Sequence, residues 1–370
     1  MPLTPMDEYL GHQTTDTFDT VYTSDRRFYD RYYFNCHPCA DELFLITGMG
    51  QYPNLGVTDA FVCVSHGHTH YCVRSSRELN GDRLDTKVGP LGVEVIEGLK
   101  RLRVYCEPNE WNLSFDLTFT GTVAPLHEPK GITWKGNRQM EETSRYAQVG
   151  TWEGSIEVGG RKYDVTPDRW KGARDHSWGF RPGTGEPEPL GILAKQGEHG
   201  QRGFFHNWIP MQFDDYMIKV FIQEDDKGAR LMEEAIKVYN DGRPSEDLGS
   251  PRHDFTYRSG TRELKQAVIS FSESDLVVTN TPLRTNYLAG GSGYMHTEDW
   301  GLGAYRGELV TQGLSWDMDD PEQFRQIQGL NETLCRFDAS NGDVGFGMHE
   351  NACSGVYEPY GFMTPDAVAP

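Results

Sequence analysis

The amino-acid sequence predicts an all-β protein made of two consecutive antiparallel β-domains, each a barrel or sandwich, with few short helices. Three observations carry this prediction. Apolar and polar residues alternate over many short runs, which is the period of a half-buried strand. The 41 Gly and 20 Pro interrupt the chain too often for long helices. A length of 370 residues exceeds one ordinary domain of about 150 residues and favours two.

The alternation is clearest over residues 112–123, where every second residue from Leu113 to Phe119 is apolar and Ser, Asp or Thr stands between. This pattern buries one face of a strand and exposes the other. Asn-Gly and Asp-Gly pairs between the runs are typical of hairpin turns. Further strands are predicted at residues 59–65, 99–106, 149–158, 190–194, 216–223, 266–273, 305–310, 332–338 and 344–349.

One short helix is predicted after Asp320, which can cap a helix that starts with Pro321 and continues toward Ile327. Residues 231–238 fit a helix or a strand. Residues 181–189 contain three prolines and two glycines, through which strand pairing cannot continue. We therefore place the boundary between the two domains there, with one domain over residues 15–185 and the other over residues 190–362.

Composition limits the partners of the chain. A formal net charge of −20 at pH 7 disfavours nucleic acid, which needs a clustered basic surface. No apolar run approaches the roughly 18 residues of a membrane span, and residues 1–19 lack a basic segment followed by an apolar one. We expect a cytoplasmic protein without an integral membrane segment. Its oligomeric state stays open, and a homodimer is one alternative.

The seven cysteines are an odd number spread along the chain, so no disulfide framework is predicted. Cys36 and Cys39 form a Cys-x-x-Cys pair, but a zinc knuckle needs a second pair at matching spacing. We expect structural, reduced thiols.

The densest group of chemically active residues is Arg174–Gly179, with the sequence Arg-Asp-His-Ser-Trp-Gly. In an extended strand alternate side chains share a face, so Arg174, His176 and Trp178 would point one way and Asp175 the other. One face would then carry a proton-transfer group beside an aromatic wall, because imidazole moves protons near neutral pH and an indole attracts cations.

A second His-x-Trp, formed by His206 and Trp208, follows about one hairpin later and repeats the geometry. Two such pairs suit chemistry on an apolar substrate that passes through a cationic state. The alternative interpretation is that both tryptophans are core residues and both histidines are structural, hydrogen-bonded groups.

The sequence Asp175-His176-Ser177-Trp178-Gly179 resembles the lipocalin-like superfamily that contains carotenoid 1,2-hydratase, hydroxyneurosporene synthase and AttH-type proteins. The resemblance implies two lipocalin-like β-domains with a hydrophobic pocket, and hydration or dehydration of carbon–carbon double bonds without a cofactor. Relatives act as cyclases of the Diels–Alder type. The hydratases also use a Tyr-x-Asp one hairpin downstream, where this chain has no carboxylate before Asp214.

A hydratase needs an acid for the alkene, an aromatic lining for the carbocation and a base for water. The resemblance implies active-site roles for His176 and Trp178. We expect Asp175 or His176 to donate the proton, Trp178 and Trp208 to stabilise the cation, and His206 to handle water.

Arg174 and Phe205 are expected to contact the substrate. An alternative assignment pairs Arg174 with Asp175 as a structural ion pair and leaves the histidines alone to move protons.

Three further histidine groups were considered. His66, His68 and His70 would share a face on one strand and could offer three nitrogens to zinc, but Gly67 favours a turn that separates them. We predict no metal site. His296 and His349 each stand near carboxylates and are interpreted as polar groups at the surface or at strand ends.

The sequence thus predicts a hydratase or hydro-lyase that acts without a cofactor on a double bond of a hydrophobic, isoprenoid-like substrate. An isomerase or cyclase in the same pocket is one alternative. A carrier of hydrophobic ligands without catalytic activity is the other.

Overall fold

Residues 3–12, 17–184, 203–295 and 300–370 are described by the structure, a computed structural model of the chain. The predicted strand at 190–194 and residues 185–189 of the predicted boundary lie outside them. The described residues are nearly all β, which confirms the predicted fold class. No helix in these ranges has the length and hydropathy needed to cross a membrane.

The described residues fall into two units. The first lies within Met1–Pro38, Glu42–Pro187 and Asn286–Gln328, and the second within Cys39–Asp41, Glu188–Thr285 and Gly329–Pro370. Residues 286–328 therefore group with the first unit, although they lie inside the predicted second domain.

The strands are given in chain order. They are β1 (Phe28–Cys36), β2 (Leu43–Tyr52), β3 (Val57–His66), β4 (Thr69–Glu78), β5 (Lys87–Val88), β6 (Leu91–Glu97), β7 (Arg101–Cys106), β8 (Leu113–Gly121), β9 (Leu126–His127), β10 (Gly131–Lys135), β11 (Arg138–Val158), β12 (Arg161–Val165), β13 (Lys171–Phe180), β14 (Phe204–Gln212), β15 (Tyr216–Glu224), β16 (Arg230–Tyr239), β17 (Glu246–Asp247), β18 (Pro251–Tyr257), β19 (Leu264–Phe271), β20 (Val277–Tyr287), β21 (Leu309–Asp317), β22 (Asn331–Ala339) and β23 (Val344–Ser354). The α-helix α1 spans Pro321–Ile327, and short 3₁₀ helices span Pro5–Glu8, Pro53–Leu55 and Glu358–Tyr360.

The first unit contains a nearly closed, barrel-like antiparallel sheet. Its strands pair in the order β21, β4, β3, β2, β1, β13, β11, β8, β7, β6 and β5, and the short β9, β10 and β12 pair with β11. The sheet encloses a core rich in aromatic residues, among them Phe34, Phe119 and Trp152. β1 is buried along its whole length, so both of its faces carry packed side chains.

The second unit contains a curled half-barrel sheet in the order β17, β16, β15, β14, β23, β22, β20, β19 and β18. Its concave face packs a separate apolar core. Phe205 lies in this core and stacks on Tyr357, with ring centroids 4.5 Å apart.

Most predicted elements are confirmed. β8 alternates buried and more exposed residues as expected, and α1 begins after Asp320, whose side chain accepts hydrogen bonds from the backbone N–H groups of Glu322 and Gln323. Residues 231–238 belong to strand β16. The prediction of a strand over 305–310 is wrong, because β21 starts only at Leu309, after Gly307 with a φ of 129°.

Candidate functional site

The Arg174–Gly179 motif lies on β13, between β1 and β11 in the middle of the first sheet. Across β1, Arg174 stands opposite Phe34, His176 opposite Tyr32 and Trp178 opposite Asp30. The predicted face is confirmed, since the rings of His176 and Trp178 lie 5.5 Å apart and both lie near Tyr146 of β11. The three motif residues therefore share one face of the sheet.

His176 is held between a carboxylate and a phenol. Its Nε2 lies 2.6 Å from Oδ1 of Asp30, and its Nδ1 lies 3.1 Å from the hydroxyl of Tyr146. The side chains of His176 and Asp30 have no solvent exposure. Because the paired groups come from β1, β11 and β13, the register of three adjacent strands fixes the imidazole from both sides.

Burial sets the charge of this group. It lowers the pKa of His176, although the attraction of Asp30 opposes the shift, so the imidazole is neutral at pH 7 and donates Nε2–H to Asp30. Burial alone would raise the pKa of Asp30, but the neighbouring His176, which donates a hydrogen bond to this carboxylate, and His12 hold that pKa below its ordinary value. The guanidinium of Arg83, 3.6 Å from Oδ2, balances the carboxylate charge.

Arg174 is fully buried and pairs with Glu8 from the Pro5–Glu8 3₁₀ helix, with Nη1 and Oε1 2.5 Å apart. Its Nε and Nη2 both donate to Oε1 of Gln148, at 2.9 and 2.8 Å. Glu8 also accepts from the hydroxyl of Tyr146 at 3.0 Å and from the backbone N–H of Leu99 at 2.7 Å. The N-terminal segment is thus tied to the motif through a buried ion pair.

Trp178 and His12 form the solvent-facing edge of this group. Their rings stack at 3.6 Å with an angle of 9° between the planes. The side chain of His12 is 15% exposed and lies 3.4 Å from both Asp7 and Asp30. Asp30 and His176 are sealed, whereas the side chains of His12 and Trp178 are partly exposed, although both ring nitrogens of His12 are buried.

Ligand atoms of His12, Asp30 and His176 all lie within 4.8 Å of one another, so these three residues could hold a metal ion. Two imidazoles and a carboxylate are a common ligand set for transition metals. Two of these residues are already engaged with each other, because Asp30 accepts a hydrogen bond from His176 at 2.6 Å and also faces the Arg83 cation. We interpret the cluster as a proton network.

Asp175 and Ser177 point to the opposite face of β13, as the alternation predicted. The carboxylate of Asp175 lies 3.9 Å from Nε of Arg145. The Nη1 atom of the same arginine lies 3.6 Å from the carboxylate of Glu128. The alternative pairing of Asp175 with Arg174 is wrong, because Arg174 binds Glu8. The structure therefore does not bring Asp175 together with His176.

The second His-x-Trp lies on β14 of the second unit. His206 is 9% exposed, and its Nε2 lies 3.4 Å from a carboxylate oxygen of Glu350. Trp208 is buried on the same face of the strand. Phe205 points to the other face and fills the apolar core against Tyr357, so within its own unit it is a core residue.

The remaining histidines have separate environments. A two-residue turn joins β3 to β4 and separates His66 from His68. His66 hydrogen-bonds the hydroxyl of Tyr163, whereas His68 is exposed and lies 3.0 Å from Asp319. His70 is buried on β4. The predicted fanning of these three imidazoles by a hairpin turn is confirmed.

His349 is not a surface group, because it is buried within β23 and hydrogen-bonds Asn207 and Asn280. Burial lowers its pKa to about 3. His296 lies outside the described residues.

Four residues of the network were missed from the sequence: Glu8, His12, Asp30 and Tyr146. Glu8 and His12 belong to an N-terminal stretch without periodicity, which gives no local clue. A local clue does exist for Asp30, because it is a carboxylate within the aromatic run Phe28–Phe34, where apolar and polar residues do not alternate.

The chain was compared with known proteins. A family model described as "Family of unknown function (DUF8625)" matches residues 3–363. No curated protein matches the sequence.

Solved structures share the fold. Kievitone hydratase from Nectria haematococca is similar with a TM-score of 0.52 and 14% identity over 88% of this chain and 89% of that one. An AttH-like protein from Nitrosomonas europaea is similar with a TM-score of 0.55 and 13% identity over 97% and 100% of the two chains. At these identities the likeness shows a shared lipocalin-like fold and nothing further.

Proposed function

The chain belongs to a family of unknown function (DUF8625), so its activity has to be argued from the site, and we propose that it is a hydratase or hydro-lyase. The substrate would be a hydrophobic, isoprenoid-like molecule, and the enzyme would act on one of its carbon–carbon double bonds. The reaction would need no cofactor. One solved structure of this fold bears the name of a hydratase, so the fold is compatible with this class of reaction.

The observation that carries the proposal is the buried Asp30–His176 pair connected to the partly exposed His12–Trp178 stack. Hydration of an alkene requires a proton donor held beside an aromatic surface and shielded from bulk water. Asp30 accepts a hydrogen bond from His176 at 2.6 Å and lies 3.4 Å from the ring of His12. Trp178 supplies the aromatic surface.

We assign the steps as follows. His12, which lies beside Asp30, donates a ring proton to one alkene carbon, and the π electrons form the new C–H bond. The cation left on the other carbon lies near the indole of Trp178, a contact worth about 2 kcal/mol in a desolvated site. Water adds to this carbon and returns a proton to His12, so the net reaction is addition of one water molecule.

His176 is a positioning residue in this scheme. It is neutral, sealed from solvent, and orients the Asp30 carboxylate that faces His12. Asp175 is not assigned as the acid, because it lies on the other face with Arg145. Water handling by His206 and cation stabilisation by Trp208 stay predictions that belong to the second unit.

The test uses the full chain with acyclic isoprenoid alkenes and prenylated phenols in water enriched in ¹⁸O. Mass spectrometry should detect one ¹⁸O per product molecule. His12→Gln should lower kcat by about 10²-fold to 10⁴-fold, the usual contribution of a general acid. The matched control is His127→Gln, which removes an exposed imidazole of the same unit and should leave turnover unchanged.

His176→Gln separates positioning from chemistry. It should lower kcat without changing KM, while circular dichroism stays native. Conversion without ¹⁸O into a product of unchanged mass would instead establish an isomerase or cyclase. Tight binding without any conversion, unaffected by His12→Gln, would establish a carrier and refute the hydratase.

A further inference from the structure

The outer face of the first sheet carries buried polar groups without partners. Tyr29 and Arg31 of β1 point away from the His176 face and are 0% and 2% exposed. Within the described part of the chain, the Tyr29 hydroxyl and the Nε and Nη2 of Arg31 have no hydrogen-bond partner. Buried donors are rarely left unpaired, so each one points to a missing ligand or water.

The unpaired atoms of Arg31 form one particular edge of its guanidinium. Nη1 already donates to the hydroxyl of Tyr52 and lies 3.4 Å from Oδ1 of Asp59. The ring of Tyr294 covers the flat face, 5.1 Å from Cζ. The remaining Nε and Nη2 lie side by side, and their two parallel N–H groups match the two oxygens of a carboxylate.

A second cation lies near Tyr29. The guanidinium of Arg181 stands 5.0 Å from the ring of Tyr29 and is partly exposed. Among the described residues it forms no salt bridge, whereas Asp59 is shared by Arg31, the Tyr52 hydroxyl and the backbone N–H of Gly303. Both Arg31 and Arg145 repel the Arg181 guanidinium, and no carboxylate among the described residues forms a salt bridge with it.

The surroundings are small and apolar. Across the sheet, Arg31 stands opposite Gly50 and Ser177, and Tyr29 opposite Gly179. A Cβ at Gly50 would come within 2.8 Å of Cγ of Arg31, so glycine leaves the space in which the guanidinium lies against the sheet. Around this point an apolar cluster forms from Tyr29, Tyr52, Val57 and Leu302, with Leu55 and Tyr294 packed on it.

We propose that Tyr29, Arg31 and Arg181 bind the carboxylate of a small hydrophobic acid. The carboxylate takes the Nε–Nη2 edge of Arg31 and a hydrogen bond from the Tyr29 hydroxyl, Arg181 balances its charge, and the aromatic cluster packs against its apolar part. The site lies on the opposite face of the sheet from His176. It is therefore independent of the proposed hydration chemistry.

The experiment is isothermal titration calorimetry of the full chain with octanoate, phenylacetate, octanol and inorganic phosphate. The two acids should bind, and octanol, which lacks the charge, should bind at least about tenfold more weakly. Arg181→Gln should weaken acid binding at least about tenfold, and Tyr29→Phe should weaken it severalfold. Arg26→Gln removes an exposed arginine of the same unit and is the matched control.

Arg31 is buried, so Arg31→Gln is accompanied by Arg31→Lys, which keeps the charge and loses the paired N–H edge. Arg31→Lys should weaken acid binding while circular dichroism stays native. Three results would overturn the proposal: acid binding unchanged in Arg181→Gln, phosphate bound more tightly than either acid, or no acid bound by the wild-type chain. The last would mean that water alone satisfies Arg31.

Discussion

Replacing Glu8 by glutamine tests whether the buried ion pair holds the N-terminal segment on the first unit. Glu8 and Arg174 have no solvent exposure, and their charged atoms lie 2.5 Å apart. Glu8→Gln keeps the shape of the side chain but leaves the guanidinium buried without its counterion. Breaking a buried pair in this way costs about 3–5 kcal/mol.

The reciprocal change, Arg174→Met, removes the counterion of the Glu8 carboxylate, which then keeps its hydrogen bonds from the Tyr146 hydroxyl and the Leu99 N–H. It also removes the donors to Oε1 of Gln148. We expect a loss of unfolding free energy of similar size. In the double variant neither charge remains, so its loss should be smaller than the sum of the single losses by at least about 2 kcal/mol.

The assay is urea unfolding followed by tryptophan fluorescence. Of the 8 Trp, Trp208 alone lies in the second unit, so the signal reports mainly on the first. Glu78→Gln is a control, since the carboxylate of this exposed residue accepts a hydrogen bond from the exposed Tyr305. Losses that add to within about 0.5 kcal/mol would show that the two residues are not energetically coupled and would refute the reasoning.

Two further predictions follow from burial and backbone geometry. Burial lowers the pKa of His37 to about 3, whereas in the unfolded chain this imidazole takes up a proton near pH 6.5. The free energy of unfolding should therefore fall as the pH drops from about 6.5 to about 3, by up to about 1.4 kcal/mol per pH unit. His37→Phe should flatten that slope in unfolding measured across pH, whereas an unchanged slope would contradict the assignment. Gly179 has a φ of 126°, and the Cβ added by Gly179→Ala would lie 2.0 Å from the carbonyl oxygen of Glu142. This variant should destabilise the first unit much more than Gly136→Ala, because Gly136 has a φ of 62° and open space around its Cβ position. Equal unfolding midpoints for the two glycine variants would show that the clash is relieved.

Much of the fold could be predicted because its determinants are local. Alternation over residues 112–123 fixed strand β8, and the Asp320-Pro321 cap fixed the start of α1. The same alternation placed Arg174, His176 and Trp178 on one face before any partner was known. It failed at 305–310, where the side-chain pattern resembles a strand but the backbone at Gly307 leaves the extended region.

The partners of the motif could not be predicted. Asp30 is separated from His176 by 146 residues, and the pairing of β1 with β13 brings them together. Glu8 is separated from Arg174 by 166 residues and reaches it from a 3₁₀ helix outside the sheet. His12 comes from a segment with no periodic pattern.

The sequence by itself determined the type of the strongly patterned elements, such as β8 and α1, and the side of a strand on which a residue lies, which follows from the two-residue repeat of an extended chain. The tertiary structure decided which carboxylate faces which imidazole, and it assigned residues 286–328 to the first unit. Strand order and register arise from packing between segments far apart in the chain, and no local pattern encodes them.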